Sequence, residues 1–224
     1  MSATPTAPLL IVDNVALSLN GKPLLLPLCF TAHPGELIFV RGPSGCGKST
    51  LLKIIASLQD SSAGSVKFHG QDIRQLDPQT YRQQVSYCFQ TPMLFADTVY
   101  DNLAFAYQLR HLKVDNEALI QWLNRVDLPA SYLDKKIAEL SGGEKQRIGL
   151  LRNLQFLPEI LLLDEVTSAL DLENKQRIQQ LIQELVTTRQ CCVIWISHDE
   201  QEVMSGHRVL TLTPPQKEPL NGTA

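Results

Sequence analysis

The stretch Gly42-Pro43-Ser44-Gly45-Cys46-Gly47-Lys48-Ser49 sets glycines, a lysine and a hydroxyl in the order G-x-x-x-x-G-K-[ST]. Glycine-rich backbone can turn successive N–H groups inward around a dense anion, and a helix start directly after it adds further unpaired N–H groups. The chemistry is that of a phosphate cradle for a nucleotide such as ATP. Lys48 supplies a point charge, Ser49 a hydroxyl for Mg²⁺, and Thr50 a contact to the α-phosphate. Pro43, Ser44 and Cys46 fill variable positions of the cradle, and the Cys46 thiol is read as chemically neutral.

Two further stretches carry complementary chemistry. Ile160-Leu161-Leu162-Leu163-Asp164-Glu165 is an apolar strand that ends in paired carboxylates. Asp164 is placed to hold Mg²⁺ through water and Glu165 to accept a proton from an attacking water, a role worth roughly 10²–10⁴-fold in rate. Between cradle and carboxylates lies Leu140-Ser141-Gly142-Gly143-Glu144-Lys145-Gln146-Arg147. Ser141 and Glu144 have the spacing of a capping box, which predicts a helix start there and a stop by Pro158. Gly142 and Gly143 leave the N–H groups of that start unobstructed, a setting that favours an anion such as a γ-phosphate.

In this order the three stretches resemble the ATP-binding subunit of ABC transporters, and the resemblance covers about residues 9–212. It implies an α/β P-loop NTPase fold with a mixed, mainly parallel core sheet, an N-terminal antiparallel β region and an inserted helical subdomain. By the same resemblance, Gln90 is the Q-loop glutamine that meets Mg²⁺ and the attacking water. His198 is the H-loop histidine that contacts the γ-phosphate and positions Glu165. Asp171, in Ser168-Ala169-Leu170-Asp171, falls in the D-loop, although an aspartate there also serves as a helix cap. The family places Ser141, Gly142 and Gly143 of one subunit over the ATP of another, which implies a head-to-tail dimer closing on two MgATP. One position departs from the pattern: Leu19 stands where an aromatic usually stacks on adenine.

The elements that must position these groups are legible as well. Apolar runs at 9–19, 24–32, 36–41, 65–69 and 85–89 read as strands, separated by turn dipeptides such as Asn20-Gly21 and Pro34-Gly35. Residues 92–157 read as a helical insertion of two to four helices without a strand. The runs 160–164 and 191–197 suit parallel strands covered on both faces. Between them Ile178, Leu181, Ile182, Leu185 and Val186 form one apolar helical face. One domain is therefore expected over 1–224, with 1–91 and 158–213 as core, 92–157 as helical subdomain and 214–224 as a solvated tail.

Composition narrows the partners. A net charge of −3 without a like-charge block gives no bulk attraction to nucleic acid or anionic lipid. The five cysteines form no C-x-x-C pair, which favours a reducing compartment such as the cytosol. No segment approaches the roughly 18 apolar residues that a spanning helix needs. A transporter subunit of this kind requires a separate transmembrane permease, with the chain peripheral on the inner face of the membrane, docking through residues between Gln90 and Arg110. At finer grain, the stretches 83–103 and 152–156 resemble ATP-binding subunits of bacterial iron exporters, with amino-acid or lipid cargo as alternatives. Non-transport ABC ATPases of DNA repair or translation, and soluble phosphate-loop kinases or GTPases, are the rival classes.

Overall fold

The computed structural model describes residues 7–197 and 207–215. Two sheets share its strands. β1 (Leu10–Leu19) and β2 (Lys22–Ala32) pair antiparallel across Asn20-Gly21, where both φ angles are positive, at 52° and 75°. This is the backbone that a two-residue hairpin demands, and it is why the Asn-Gly pair marks the turn. β4 (Ala63–Phe68) joins the free side of β1, followed by the short β5 (Gln71–Asp72), to give the order β2-β1-β4-β5.

The second sheet holds the ends of the chemistry-bearing segments. Its order is β6 (Val85–Cys88), β7 (Ile160–Asp164), β8 (Cys192–Ile196), β3 (Leu37–Arg41), β9 (Arg208–Thr211). Every neighbouring pair among these strands is parallel. The N-terminal antiparallel region is present as expected, and the core sheet, expected to be mixed and mainly parallel, is parallel throughout the described residues. β3, β7 and β8 are continuous apolar runs because both their faces are covered. Ile160 and Leu162 point to one core with Ile38, Val40 and Ile194, while Leu161 and Leu163 point to another with Phe39, Val193 and Trp195. The first core is closed by α1 (Lys48–Ile55) and the antiparallel sheet, the second by α6 (Leu172–Arg189) and the helical insertion.

Besides the two-residue β5, a strand and a helix escape a reading by pattern. β9 is an edge strand with no fully buried residue, so it has no apolar run to announce it. α2 (Pro78–Gln84) buries only Tyr81 and is otherwise polar; Asp77 caps it and Pro78 starts it.

The insertion contains α3 (Val99–Gln108), α4 (Asn116–Arg125), 3₁₀ turns at Ala130–Asp134 and Ile137–Glu139, and α5 (Gly142–Leu154). The expected helical character holds, with one isolated bridge between Thr98 and Lys136. Each α-helix starts on a side-chain cap: Thr98 with Asp101, Asp115, and Ser141 with Glu144. Asn102, fully buried, accepts from the Phe95 N–H and donates to the carbonyls of Phe95 and Thr98, which holds the loop before α3 against the helix. No helix among the described residues is long and apolar enough to cross a membrane.

Leu161 is fully buried between the core sheet and the helical side. Its replacement by Ala is expected to lower unfolding stability by about 2–5 kcal/mol, read from urea denaturation, because the parallel sheet around it cannot collapse into the cavity.

Candidate functional site

β3 runs into the glycine loop and the loop into α1, so the strand's carboxyl end and the helix's amino end face the same space. Gly47 is the cap of α1 at φ 96°, and a Cβ there would lie 2.6 Å from the Leu24 carbonyl oxygen. Only glycine accepts both that φ and that approach of β2. No side chain caps α1, and its first turn contains no acid, whereas α3, α4, α5 and α6 each carry one there. An uncapped helix start without its own carboxylate is an open position for an external anion. The space in front of it, about 310 Å³, is lined by Leu24, Ser44, Gly45, Gly47, Lys48, Ser49, Thr50 and Glu165.

Lys48 is buried at 7% exposure, and its Nζ donates to the carbonyls of Gly42 at 2.8 Å and Pro43 at 3.2 Å. The ammonium is thus held at the mouth of the loop by neutral acceptors, with no ion pair to a carboxylate among the described residues. Ser49 Oγ donates to Asp164 Oδ1 at 3.1 Å, which joins the start of α1 to the end of β7. Those two oxygens are hard donors at the spacing and of the type that Mg²⁺ takes. Asp164 is 3% exposed, and its other oxygen accepts from the Tyr87 hydroxyl at 2.5 Å.

Glu165 sits where β7 breaks off, with φ 50°, a left-handed backbone uncommon for a glutamate. Its N–H donates to the Ile196 carbonyl at 3.1 Å, and its Oε2 accepts from Gln90 Nε2 at 2.7 Å. Gln90, just past β6, is therefore brought onto the carboxylate from the neighbouring strand. Gln146 on α5 donates to the Gln90 carbonyl at 3.2 Å, so the helical insertion touches the same loop. Gly149 allows that contact, since a Cβ on it would meet Pro92 at 2.9 Å.

The Ser141–Gly143 tip lies elsewhere. Ser141 and Gly142 are exposed, and neither they nor Gly143 line the space before α1. The capping box is formed: the Glu144 N–H donates to Ser141 Oγ at 3.2 Å, and the Ser141 N–H donates to Glu144 Oε2 at 2.7 Å. Asp171 caps α6, accepting from the Asn174 N–H at 2.9 Å, and Arg147 donates to Asn174 Oδ1 at 2.6 Å, which ties the tip's helix to the first turn of α6. His198 lies outside the described residues.

Other residues emerge only from the geometry. Leu24 lines the space, while Leu19 is 60% exposed at the end of β1 and does not. Tyr87 reaches Asp164 because both lie on the face of the sheet that carries Val85, Leu162 and Ile194. The parity was readable in each strand; the pairing of β6 with β7 was not.

A parallel sheet, an uncapped glycine-edged helix start and carboxylates at the next strand's end define a phosphate-loop nucleotide hydrolase. The profile of the ABC transporter family matches residues 25–168, and the chain belongs to that family as an ATPase cassette. It is 50% identical over 208 residues, 93% of its own length and 92% of the other's, to the Escherichia coli K12 protein named "Probable iron export ATP-binding protein FetA". It is 37% identical to ABC transporter I family member 17 of Arabidopsis thaliana, over 82% of this chain and 70% of that one. Among solved structures, the ATP-binding cassette MJ0796, dimeric and bound to ADP and Pi in a post-hydrolysis state, superposes with a TM-score of 0.83 at 26% identity. That match covers 96% of this chain and all of the other. A bacterial Atm1-family ABC exporter with ATP bound matches at TM-score 0.83 and 27% identity, over 94% of this chain and 38% of that one.

Burial tends to raise the pKa of Glu144, but hydrogen bonds from the Tyr132 hydroxyl, Ser141 and Lys135 outweigh it and hold the carboxyl at about 2, below its ordinary 4.5. A depressed carboxyl stabilises the fold fully above pH 4.5 and loses that contribution as pH falls toward 2. The stability advantage of the native chain over a Glu144→Gln variant is therefore expected to shrink across that window, measured by urea denaturation at stepped pH.

Proposed function

We propose that this chain is the ATP-hydrolysing motor of a transporter, acting as a head-to-tail pair of copies on a separate transmembrane permease, with export of iron as its work. The observation that carries this reading is the separation, within one chain, of two anion-suited helix starts. One is the α1 start with Lys48, Ser49 and the two acids; the other is the exposed Ser141–Gly143 tip outside that space. A second copy would bring its tip to the first copy's cradle. The dimeric state of MJ0796 and the iron-export name of the Escherichia coli relative support the pairing and the cargo.

In this reading the backbone of Gly42, Pro43, Ser44, Gly45, Cys46 and Gly47 wraps the β-phosphate, Lys48 leaves its loop carbonyls for the β- and γ-phosphates, and Thr50 meets the α-phosphate. Ser49, Asp164 and Gln90 would hold Mg²⁺, which neutralises charge building on the phosphates. Glu165 takes the proton of the attacking water while Gln90 orients both. His198 would meet the γ-phosphate. Ser141, Gly142, Gly143 and Asp171 belong to the face that closes over the partner's nucleotide. Hydrolysis weakens the grip between copies because ADP offers the second tip no γ-phosphate, and opening follows from that difference in binding. Among the described residues no cluster of His, Cys, Asp or Glu is suited to a metal cargo, so cargo choice falls to the permease.

The permease is assigned to a groove of about 420 Å³ between α2, α3 and α5, lined by Arg82, Phe95, Phe105, Leu109, Arg110 and Phe156 among others. No acid lines it. Arg110 stacks over Phe156 at 4.3 Å and spends a hydrogen bond on the Ala106 carbonyl, so the groove offers apolar rings and cations. Of the large apolar residues between Gln90 and Arg110, Tyr107 is buried in the helical core, whereas Met93 at 65% and Phe95 at 38% are exposed. In this reading the chain sits on the inner face of the membrane through its partner.

A Glu165→Gln variant is expected to bind ATP, to lose turnover by about 10²-fold or more, and to elute as a dimer on ATP by size-exclusion chromatography. A variant that binds ATP yet stays monomeric removes the paired reading. Leu109 is 57% exposed, and Leu109→Glu is expected to spare ATP binding but to abolish recovery of the chain with its membrane subunit in detergent pull-down. Loss of both together would point to folding instead.

A further inference from the structure

Asp164 is nine-tenths buried and more, so each carboxylate oxygen needs a partner. Ser49 Oγ serves Oδ1 at 3.1 Å and the Tyr87 hydroxyl serves Oδ2 at 2.5 Å. These partners differ in kind. The Ser49 hydroxyl faces the nucleotide space and is the group that a metal would recruit. Tyr87 is 8% exposed, lies within β6, and is braced by an edge-on contact with Phe89 at 4.7 Å between ring centres. It is therefore the donor that stays on Asp164 when the serine turns to another oxygen.

We propose that Tyr87 is a positioning residue of the ATPase site, whose hydroxyl locks the Asp164 carboxylate with Oδ1 facing Ser49 and thereby sets how tightly a divalent cation is held beside the nucleotide. The proposal rests on the assignment of Asp164 and Ser49 to that cation. Oδ2 is occupied, so only Oδ1 is presented, and the carboxylate cannot swing about its Cβ–Cγ bond without stranding a buried oxygen. Two residues past the end of the strand that carries Tyr87 lies Gln90, which donates to Glu165 at 2.7 Å. One short segment thus holds both carboxylates, Asp164 through Tyr87 and Glu165 through Gln90, and a shift of the end of β6 would disturb cation and base together.

The test uses the full-length chain, Mn²⁺ as the probe cation, and electron paramagnetic resonance to read its binding to the ATP-loaded protein. ATP affinity in excess EDTA is measured in parallel with a fluorescent ATP analogue. Tyr87→Phe removes one oxygen and keeps the ring. It is expected to weaken Mn²⁺ affinity by about tenfold or more, the usual cost of losing a group that orients a metal ligand, and to leave ATP affinity in EDTA within about twofold. Replacement of Tyr87 by 4-aminophenylalanine, which keeps a donor at the para position, is expected to restore most of the Mn²⁺ affinity. Equal loss in both variants, unchanged Mn²⁺ affinity in Tyr87→Phe, or a parallel fall in metal-free ATP binding would each overturn the proposal. Ser49→Ala distinguishes the underlying assignment: if it leaves Mn²⁺ binding intact, the cation site itself is misplaced, whatever Tyr87 does.

Discussion

The arrangement turns on one buried carboxylate. Asp164 ends a strand that is buried along its whole length, and an acid in that position is tolerated only where neighbours satisfy it. Its partners come from α1 and β6, elements distant in sequence, and meeting them requires α1 to start directly above β7 and β6 to pair beside it. The parallel order β6-β7-β8-β3 meets both demands at once. It sets the carboxyl ends of the strands along one edge, where the glycine loop after β3, the acids after β7 and Gln90 after β6 converge.

That edge also explains the character of its backbone. Gly47 and Glu165 hold left-handed conformations within the same small space, one allowed by the missing side chain and the other imposed on a glutamate. Strain of this kind, of order 1–3 kcal/mol for a non-glycine residue, persists where surrounding contacts over-determine it. Here the surroundings are the β8 carbonyl that binds the Glu165 N–H and the glutamine amide on its side chain. Lys48 shows the complementary tactic. Its charge rests on loop carbonyls, weak enough partners to be exchanged for a phosphate.

Above the apolar core that it shares with the sheet, the helical insertion reaches this edge through polar contacts. Gln146 reaches the Gln90 carbonyl, and Arg147 reaches Asn174 and through it Asp171. Contacts of this sort are individually worth about 1 kcal/mol and can be remade at small cost. The groove proposed for the membrane partner lies between the same two units, so relative motion of the units would change its shape.

Much of this was written in short-range pattern. The phosphate loop, the capping box at Ser141 and Glu144, the apolar runs ending at Asp164 and Ile196, and the hairpin turn at Asn20-Gly21 are local features, and each lies where spacing and residue type put it. Local pattern also carried the family, because cradle, tip and acids occur in a restrictive order. What it could not carry was adjacency. Tyr87 read as a strand residue and Leu24 as another, and β9, with no buried run, was silent. The pairing of β6 with β7 made the tyrosine a partner of Asp164, and the packing of β2 on the glycine loop put Leu24 beside the nucleotide space. Side-chain type and periodicity are properties of a segment, whereas a hydrogen bond between residues 77 positions apart exists only once the sheet has chosen its strand order.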